Sequence, residues 1–412
     1  MASFSIPLTG LNADQTELNT IANNISNLNT TGFKSQSTSF EDLFYQQVGS
    51  SGSGDPVVAG QGVKVAANST DFTPGSINTT AGSPSDVALT GNGFFVLNNG
   101  GIPAYTRAGD FQTDQNGNLT SADGLAVMGY PASKGVVNTN APLAAIQIPL
   151  GATQQPQATT QFSLNATNLN ASAAVGTVVP AQVTVYDSLG QSHVATVNFT
   201  NAGTNTWNYA ISLPAGDYTG ATANTTGTLT FNSSGQMTAP AANVTGISFG
   251  GLTDGASNLS FSWNLYDANN NPTVTQAASA STVGSTTQNG YSSGSYQGFS
   301  VGSDGIISVQ FSNGQTQAIG QLALAMVNNE QGLARTGDNN FAATLASGPA
   351  TVGVAGTGGR GTMEGGALED SNVDISSEFS NLIVAQSAYE ANAKSVTTFD
   401  TVTQATINMI PQ

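Results

Sequence analysis

The sequence predicts an α+β chain that is mostly β, with paired helices at its two ends and nested β-rich domains between them. Three observations predict this. Both termini carry long apolar-striped segments with few breakers; the interior alternates short β-branched or aromatic runs with Gly, Asn and Asp turns; and one strand-and-turn pattern appears on both sides of a Ser/Thr/Asn-rich stretch. The boundaries read as a terminal helical core at residues 1–31 and 370–412 and a connector at 32–70 and 353–369. A discontinuous middle β-domain covers 71–147 and 288–352, and an outermost β-domain, 148–287, is inserted into it.

At the N-terminus, Leu11, Leu18, Ile21, Ile25 and Leu28 follow heptad-like spacing, which places them along one seam of a helix. Asn19, Asn23, Asn24 and Asn27 fall on the face expected to point outward. No Gly or Pro lies between Gly10 and Gly32, and Gly32 is a natural C-terminal stop. At the other end Ile375, Phe379, Leu382, Tyr389 and Val396 form a longer stripe, and Phe399, Val402, Ile407 and Ile410 continue it with shifted phase. Asp374 is the expected N-cap, and Glu378 in the first turn suits the helix dipole.

The connector is Gly/Ser-rich, with the run Ser50-Ser51-Gly52-Ser53-Gly54-Asp55-Pro56. Beyond it, Gly93–Leu97 reads as a strand, Asn98–Gly101 as a turn and the residues up to Tyr105 as the returning strand. Asp114-Gln115-Asn116-Gly117-Asn118 is hairpin chemistry, because Asn-Gly supplies positive φ angles. In the inserted region Val183–Tyr186 and Val194–Phe199 flank the turn Asp187-Ser188-Leu189-Gly190, and Phe261–Tyr266 leads into Asp267–Asn271 in the same way. The pattern of the middle domain returns at Gly305–Val309 and Leu322–Val327, and Gly353–Gly366 is a glycine-heavy lead into the last helix.

Seven Lys and Arg face 24 Asp and Glu, a net charge of −17, and no cation occurs between Lys134 and Arg335. Phosphate backbones and anionic membranes both demand cationic side chains, so nucleic acid and membrane surfaces are excluded as expected partners. No apolar run reaches the roughly 20 residues of a membrane span. No cysteine is present, so disulfides, thiolate zinc sites and thiol catalysis are absent. Met1–Gly10 is short and mixed and lacks the pattern of a cleaved secretory signal.

Candidate chemical sites are few. His193 is the one histidine, close in sequence to Asp187, Ser188 and Ser192; a hairpin carrying all three reads as an exposed turn rather than a catalytic triad. The Asp114 loop lacks the spaced acidic set and closing Glu of a calcium loop. Gly91-x-Gly93 precedes a strand and is no dinucleotide fingerprint. Glu369, Asp370 and Asp374 read as capping and solvated residues rather than metal ligands. The sequence therefore predicts no catalytic residues, no metal and no cofactor, and a protein that is not an enzyme.

Several stretches resemble the flagellar rod and hook axial protein family. At the N-terminus these are Gly10-Leu11-Asn12-Ala13, Ile21-Ala22-Asn23-Asn24-Ile25-Ser26-Asn27, Asn29-Thr30-Thr31-Gly32-Phe33-Lys34 and Phe40–Gln46. Gly366–Asp374 and Ala385–Lys394 are similar to the matching C-terminal signature. Gly91–Val96, Tyr105–Phe111 and Gly129–Ala132 resemble the family's shared β-domain. Gln182–Gly190 and Gly332–Asn339 are similar to hook subunits in particular.

The resemblance implies a structural subunit that polymerises into the curved tube of the extracellular hook, a universal joint passing torque from rod to filament. It implies as partners further copies of the same chain, the distal rod, the hook cap, the hook–filament junction proteins and the flagellar type III export apparatus, which needs no cleaved signal. The residues expected to carry polymerisation are Leu11, Leu18, Ile21, Ile25, Leu28, Leu382, Tyr389, Val396 and Phe399. A distal-rod protein is the alternative within the family; a secreted β-rich adhesin or glycan-binding protein would explain the middle but not the twin helical ends. Apolar stripes on both termini find most of their burial among many copies, so both ends are expected to be mobile in the monomer and ordered in the assembly. Amide exchange on monomeric protein tests this: weak protection is expected across residues 11–30, and strong protection there would overturn it.

Overall fold

The computed structural model describes residues 5–50, 56–80 and 82–409. The Ser51–Asp55 run of the connector and Ile410 of the C-terminal stripe lie outside the described residues. The chain forms two compact units, one of residues 1–150, 298–310 and 316–412, the other of residues 151–297 and 311–315.

In the first unit, helix α1 spans Ser5–Ser26 and helix α2 spans Ile375–Asn408. α1 accommodates Pro7 in its first described turn, where proline is tolerated, and runs through Gly10. It ends at Ser26, short of Gly32. That glycine stands at φ +63°, and a Cβ on it would come within 2.6 Å of the Arg107 carbonyl carbon. Both the left-handed angle and the close approach demand glycine. Asp374 caps α2 as expected, accepting from the Ser376 amide at 3.1 Å and the Ser377 hydroxyl at 2.6 Å. Those bonds hold its carboxyl below the usual range.

The expected connector contains two antiparallel ladders, Gln36–Asp42 with Val63–Thr70 and Gln46–Ser50 with Pro56–Ala59. Its polar, small residues conceal these strands, because a backbone ladder needs no apolar side chains. The β-sheet of this unit orders its strands Ile306–Phe311, Thr316–Leu322, Ala126–Ser133, Phe94–Asn99, Ile102–Thr106, Asn340–Ala342 and Ala334–Gly337. On one face Phe94, Val96, Tyr105, Tyr130, Ala323, Ala325 and Phe341 form a buried cluster. The segment leading to α2 is stitched back by Thr362–Gly365 against Val87–Thr90 and by Leu368–Glu369 against Ile77–Asn78.

The second unit holds two five-stranded sheets. One orders Val178–Tyr186, Ser192–Gly203, Thr206–Ser212, Thr226–Phe231 and Met237–Ala239; the other orders Thr222–Ala223, Val244–Phe249, Leu259–Asn264, Gln161–Leu164 and Thr286–Gln288. Along Ser192–Gly203 buried and less buried residues alternate, the period-2 signature of a half-buried strand. Both sheets contribute to one core, including Phe199, Trp207, Phe249, Phe261 and Trp263. Trp263 stacks on Phe162 at 6.0 Å and meets Tyr209 edge-on at 5.2 Å.

One turn design recurs. In Asp114–Asn118, Asp187–Gln191, Asn232–Gln236 and Asp267–Asn271 the first side chain accepts amides two and four residues on, and the fourth residue has positive φ. Asp114 is thus a turn former, as its sequence suggests. The Asp187 turn departs from expectation. Its tip residue Leu189 is exposed, but His193 is buried, with Nε2 3.0 Å from Asp187 and Nδ1 2.8 Å from Asp217. Ser188 accepts instead from the Ser257 amide, so no triad forms. Burial alone would lower the His193 pKa; the hydrogen bonds to Asp217 and Asp187 outweigh it and raise the imidazole above its ordinary value.

Trp263 carries the aromatic contacts between the two sheets. Trp263→Ala should cost about 3–5 kcal/mol, read as a lowered urea midpoint for the second unit. A change below about 1 kcal/mol would show that this core does not depend on it.

Candidate assembly surface

The two terminal helices lie antiparallel. Asn392 of α2 donates to Asp14 of α1 at 2.8 Å, and Asn24 of α1 donates to Glu378 near the start of α2 at 2.9 Å. On α2, Glu378, Leu382, Ala385, Tyr389, Asn392, Val396 and Phe399 step by alternating four and three residues, a coiled-coil seam spacing. Ala385 is buried and the others are half-buried. On α1 the corresponding strip is Pro7, Gly10, Asp14, Glu17, Ile21 and Asn24, buried except for half-buried Glu17. Burial and the neighbouring Asp14 raise the Glu17 carboxyl above its ordinary pKa. A Cβ on Gly10 would sit 2.7 Å from Asn392 Nδ2, so the helices approach closely there.

The sequence-predicted residues separate accordingly. Ile21, Leu382, Tyr389, Val396 and Phe399 lie on this seam; Leu11, Leu18, Ile25 and Leu28 flank it, half-buried. The outward placement of Asn24 is corrected: it is wholly buried. Its side-chain amide accepts from the Gln36 backbone amide at 3.0 Å and donates to the Gln36 carbonyl at 2.7 Å, besides its bond to Glu378. Each hydrogen-bonding direction of the side chain is used, which is what permits its burial. Periodicity counted only apolar residues and so missed a seam whose members include Gly10, Asp14, Asn24, Glu378 and Asn392.

Other apolar side chains remain uncovered. On α2, Phe379, Ile383 and Val384 are 49%, 63% and 69% exposed, and Val402 and Ile407 stand out farther along. Ile6 and Leu8 do the same on α1, and Phe44, Tyr45 and Val48 on the residues 36–70 hairpins. At about 1.5 Å per residue α2 is roughly 51 Å long against roughly 33 Å for α1, and the register set by Asn392–Asp14 carries the last turns of α2 past Ser5. So much exposed apolar surface marks an interaction face.

A buried charge cluster fixes the roots of the pair. Lys34, just after α1, lies 2.6 Å from Glu369, just before α2, and Arg107 of the β-sheet region lies 3.6 Å from the other oxygen of that carboxylate. All three side chains are essentially inaccessible. Glu369, expected to be solvated, is instead the shared counter-ion, and also accepts from the Gly75 amide at 2.9 Å. Its own carbonyl accepts from the Gly32 amide at 2.7 Å. Burial lowers the pKa of Lys34 and of Arg107, with Glu369 opposing the shift in both.

A chain whose helical pair is rooted in a β-domain and leaves apolar side chains exposed is built to associate with other molecules, and its family signatures are those of flagellar axial proteins. The family described as Flagella basal body rod protein matches residues 6–34, Flagellar basal body rod FlgEFG protein C-terminal matches 364–409, and Flagellar basal body protein FlaE D2 domain matches 177–291. The chain belongs to the flagellar hook protein FlgE family. It is 37% identical to the flagellar hook protein FlgE of Escherichia coli (strain K12), over 99% of this chain and 100% of that protein. The FlgE of Salmonella typhimurium is 38% identical over 99% and 100%, and that of Treponema pallidum 32% identical over 99% of each. Among solved structures, Helicobacter pylori flagellar hook protein FlgE2 shares the fold, with TM-score 0.53 at 14% identity, covering 71% of this chain and 99% of that one. The chain is thus a structural component of the flagellar hook.

Removing the shared counter-ion leaves two buried cations with only backbone carbonyls as hydrogen-bond partners. Glu369→Ala should destabilise the first unit by about 3–5 kcal/mol, measured by denaturant unfolding, while the paired change Lys34→Met with Glu369→Leu should lose less. Equal losses in both would show that charge pairing is not what Glu369 supplies.

Proposed function

We propose that this chain self-polymerises through its terminal helices into a curved extracellular tube that acts as the universal joint between rod and filament. In this reading the helical pair forms the inner core of the tube and the inserted β-domain expected at residues 148–287 forms its outer shell. The polymerisation interface is centred on Leu11, Leu18, Ile21, Ile25 and Leu28 with Leu382, Tyr389, Val396 and Phe399. Seam members hold the pair in shape, and the flanking and outward residues meet neighbouring copies. The observation that carries it is the exposed row of Phe379, Ile383 and Val384 on a helix already paired within the protomer. Assembly is what buries that outer row. Partners at the two ends of such a tube are distal-rod, cap and junction proteins, and delivery is by the type III export apparatus.

Ile25→Asp and Ile383→Asp test the interface. Both should abolish tubes in electron micrographs of purified protein left to polymerise, with the unfolding midpoint of the second unit unchanged. Normal tubes from either variant would show the interface to be misassigned, and straight tubes from the unmodified chain would favour a rod role over a hook role.

A further inference from the structure

In the second unit three carboxylates converge on the one imidazole of the chain. His193 faces Asp187 and Asp254 with Nε2, at 3.0 and 3.8 Å, and Asp217 with Nδ1, at 2.8 Å. Each aspartate comes from a different turn. Asp187 and Asp254 each commit one oxygen to their own turn: Asp187 Oδ1 accepts from the Leu189 and Gln191 amides, and Asp254 Oδ1 from the Ala256 amide. Their Oδ2 atoms are left to point at the ring. The Thr253 amide donates to the Asp217 carbonyl at 3.0 Å, which ties the Asp217 and Asp254 turns together. The floor of the cluster is buried, with Asp187 at 0% and His193 at 5%, whereas Asp217 and Asp254 are 30% and 28% exposed and leave a mouth to solvent.

The stretch between Lys134 and Arg335, which supplies all four residues, contains no lysine or arginine to offset these charges. We propose that Asp187, His193 and Asp254 form a binding site for a divalent metal ion of the zinc class, with Asp217 as the positioning residue. The Nε2 and carboxylate oxygens of the three lie within 4.8 Å of one another. With bonds of about 2.1 Å, ligand atoms on a tetrahedral zinc stand about 3.4 Å apart, between the two distances observed. One nitrogen and two oxygens are a borderline donor set that suits zinc or its neighbours and leaves a position for water. Asp217 accepts a hydrogen bond from Nδ1–H, which fixes the tautomer and turns the Nε2 lone pair toward the two ligand oxygens, the outer-shell arrangement of metal-bound histidines. Without metal the same contacts suit an imidazolium bridging two carboxylates, and the two states differ in a measurable way.

The test uses the untagged full-length chain, stripped with chelator, and zinc chloride alone in a non-coordinating buffer. Calorimetry should show one equivalent bound. Because His193 is the one histidine, ring ¹⁵N spectra report it without ambiguity: zinc should shift Nε2 and leave Nδ1 protonated. Asp254→Asn keeps the oxygen that caps its turn and should weaken binding at least about 10-fold, and Asp217→Asn about 10- to 100-fold with loss of the fixed tautomer. Circular dichroism melting confirms that each variant is folded. Zinc binding as tight in His193→Gln as in the unmodified chain, or a ring that stays doubly protonated in excess zinc, would overturn the site.

Discussion

Glu369 is the carboxylate on which the two ends of this protein are fastened. Placed in the interior alone, it would be costly; placed between Lys34 and Arg107, it is the counter-ion shared by two cations that are themselves cut off from water. The consequence is geometric more than energetic. Lys34 follows α1 and Glu369 precedes α2, so the ion pair sets where both helices leave the β-domain. The Gly32 amide on the Glu369 carbonyl and the Ser35 amide on Asn372 Oδ1 repeat the same junction in backbone bonds. Arg335 adds a third strap, donating to the Lys34 carbonyl while its guanidinium lies over Phe33 and Phe341. A lever is useful only if its root is stiff, and this root is held by charge, amides and packed rings together.

The helical pair follows a different rule. Its seam contains Asp14, Asn24, Glu378 and Asn392 where leucines would bind more strongly. Polar residues at such positions give up stability and gain register, since only one alignment satisfies all their hydrogen bonds. Asn24 goes further by bonding both backbone groups of Gln36, so that α1 is also aligned with the first hairpin. The seam also holds Ile21, Leu382, Tyr389, Val396 and Phe399, while a second apolar row is left on the outside. Ile383 and Val384 are available to other molecules because they lie off the seam that joins the two helices.

The sequence made the helices legible because their length, caps and stripes are local. Asp374, the start of α2 and the hairpins at Asp114 and Asp187 were readable for the same reason: each is decided by side chains within a few residues. The strands within residues 36–70 were not, since Gly, Ser and Gln carry no periodic signal. Of the seam, the apolar members were legible, but its polar members only make sense once residues some 350 positions apart are brought together, as Asn24 and Glu378 are. His193 and Glu369 failed in the same way. Each looks solvent-facing beside its sequence neighbours, and each is buried by partners that arrive from elsewhere in the chain.

The order in which contacts can form is written into their sequence separation. The second unit draws almost wholly on one continuous stretch, residues 151–297, and its hairpins close over short loops. The junction at Lys34 cannot close until Glu369 is present. A chain emerging amino end first would therefore complete its inserted unit early and hold its first helix unfastened until nearly the whole polypeptide had arrived. Rigidity at the base of the helices becomes a receipt for a finished molecule, and a chain broken off before Glu369 would never acquire it.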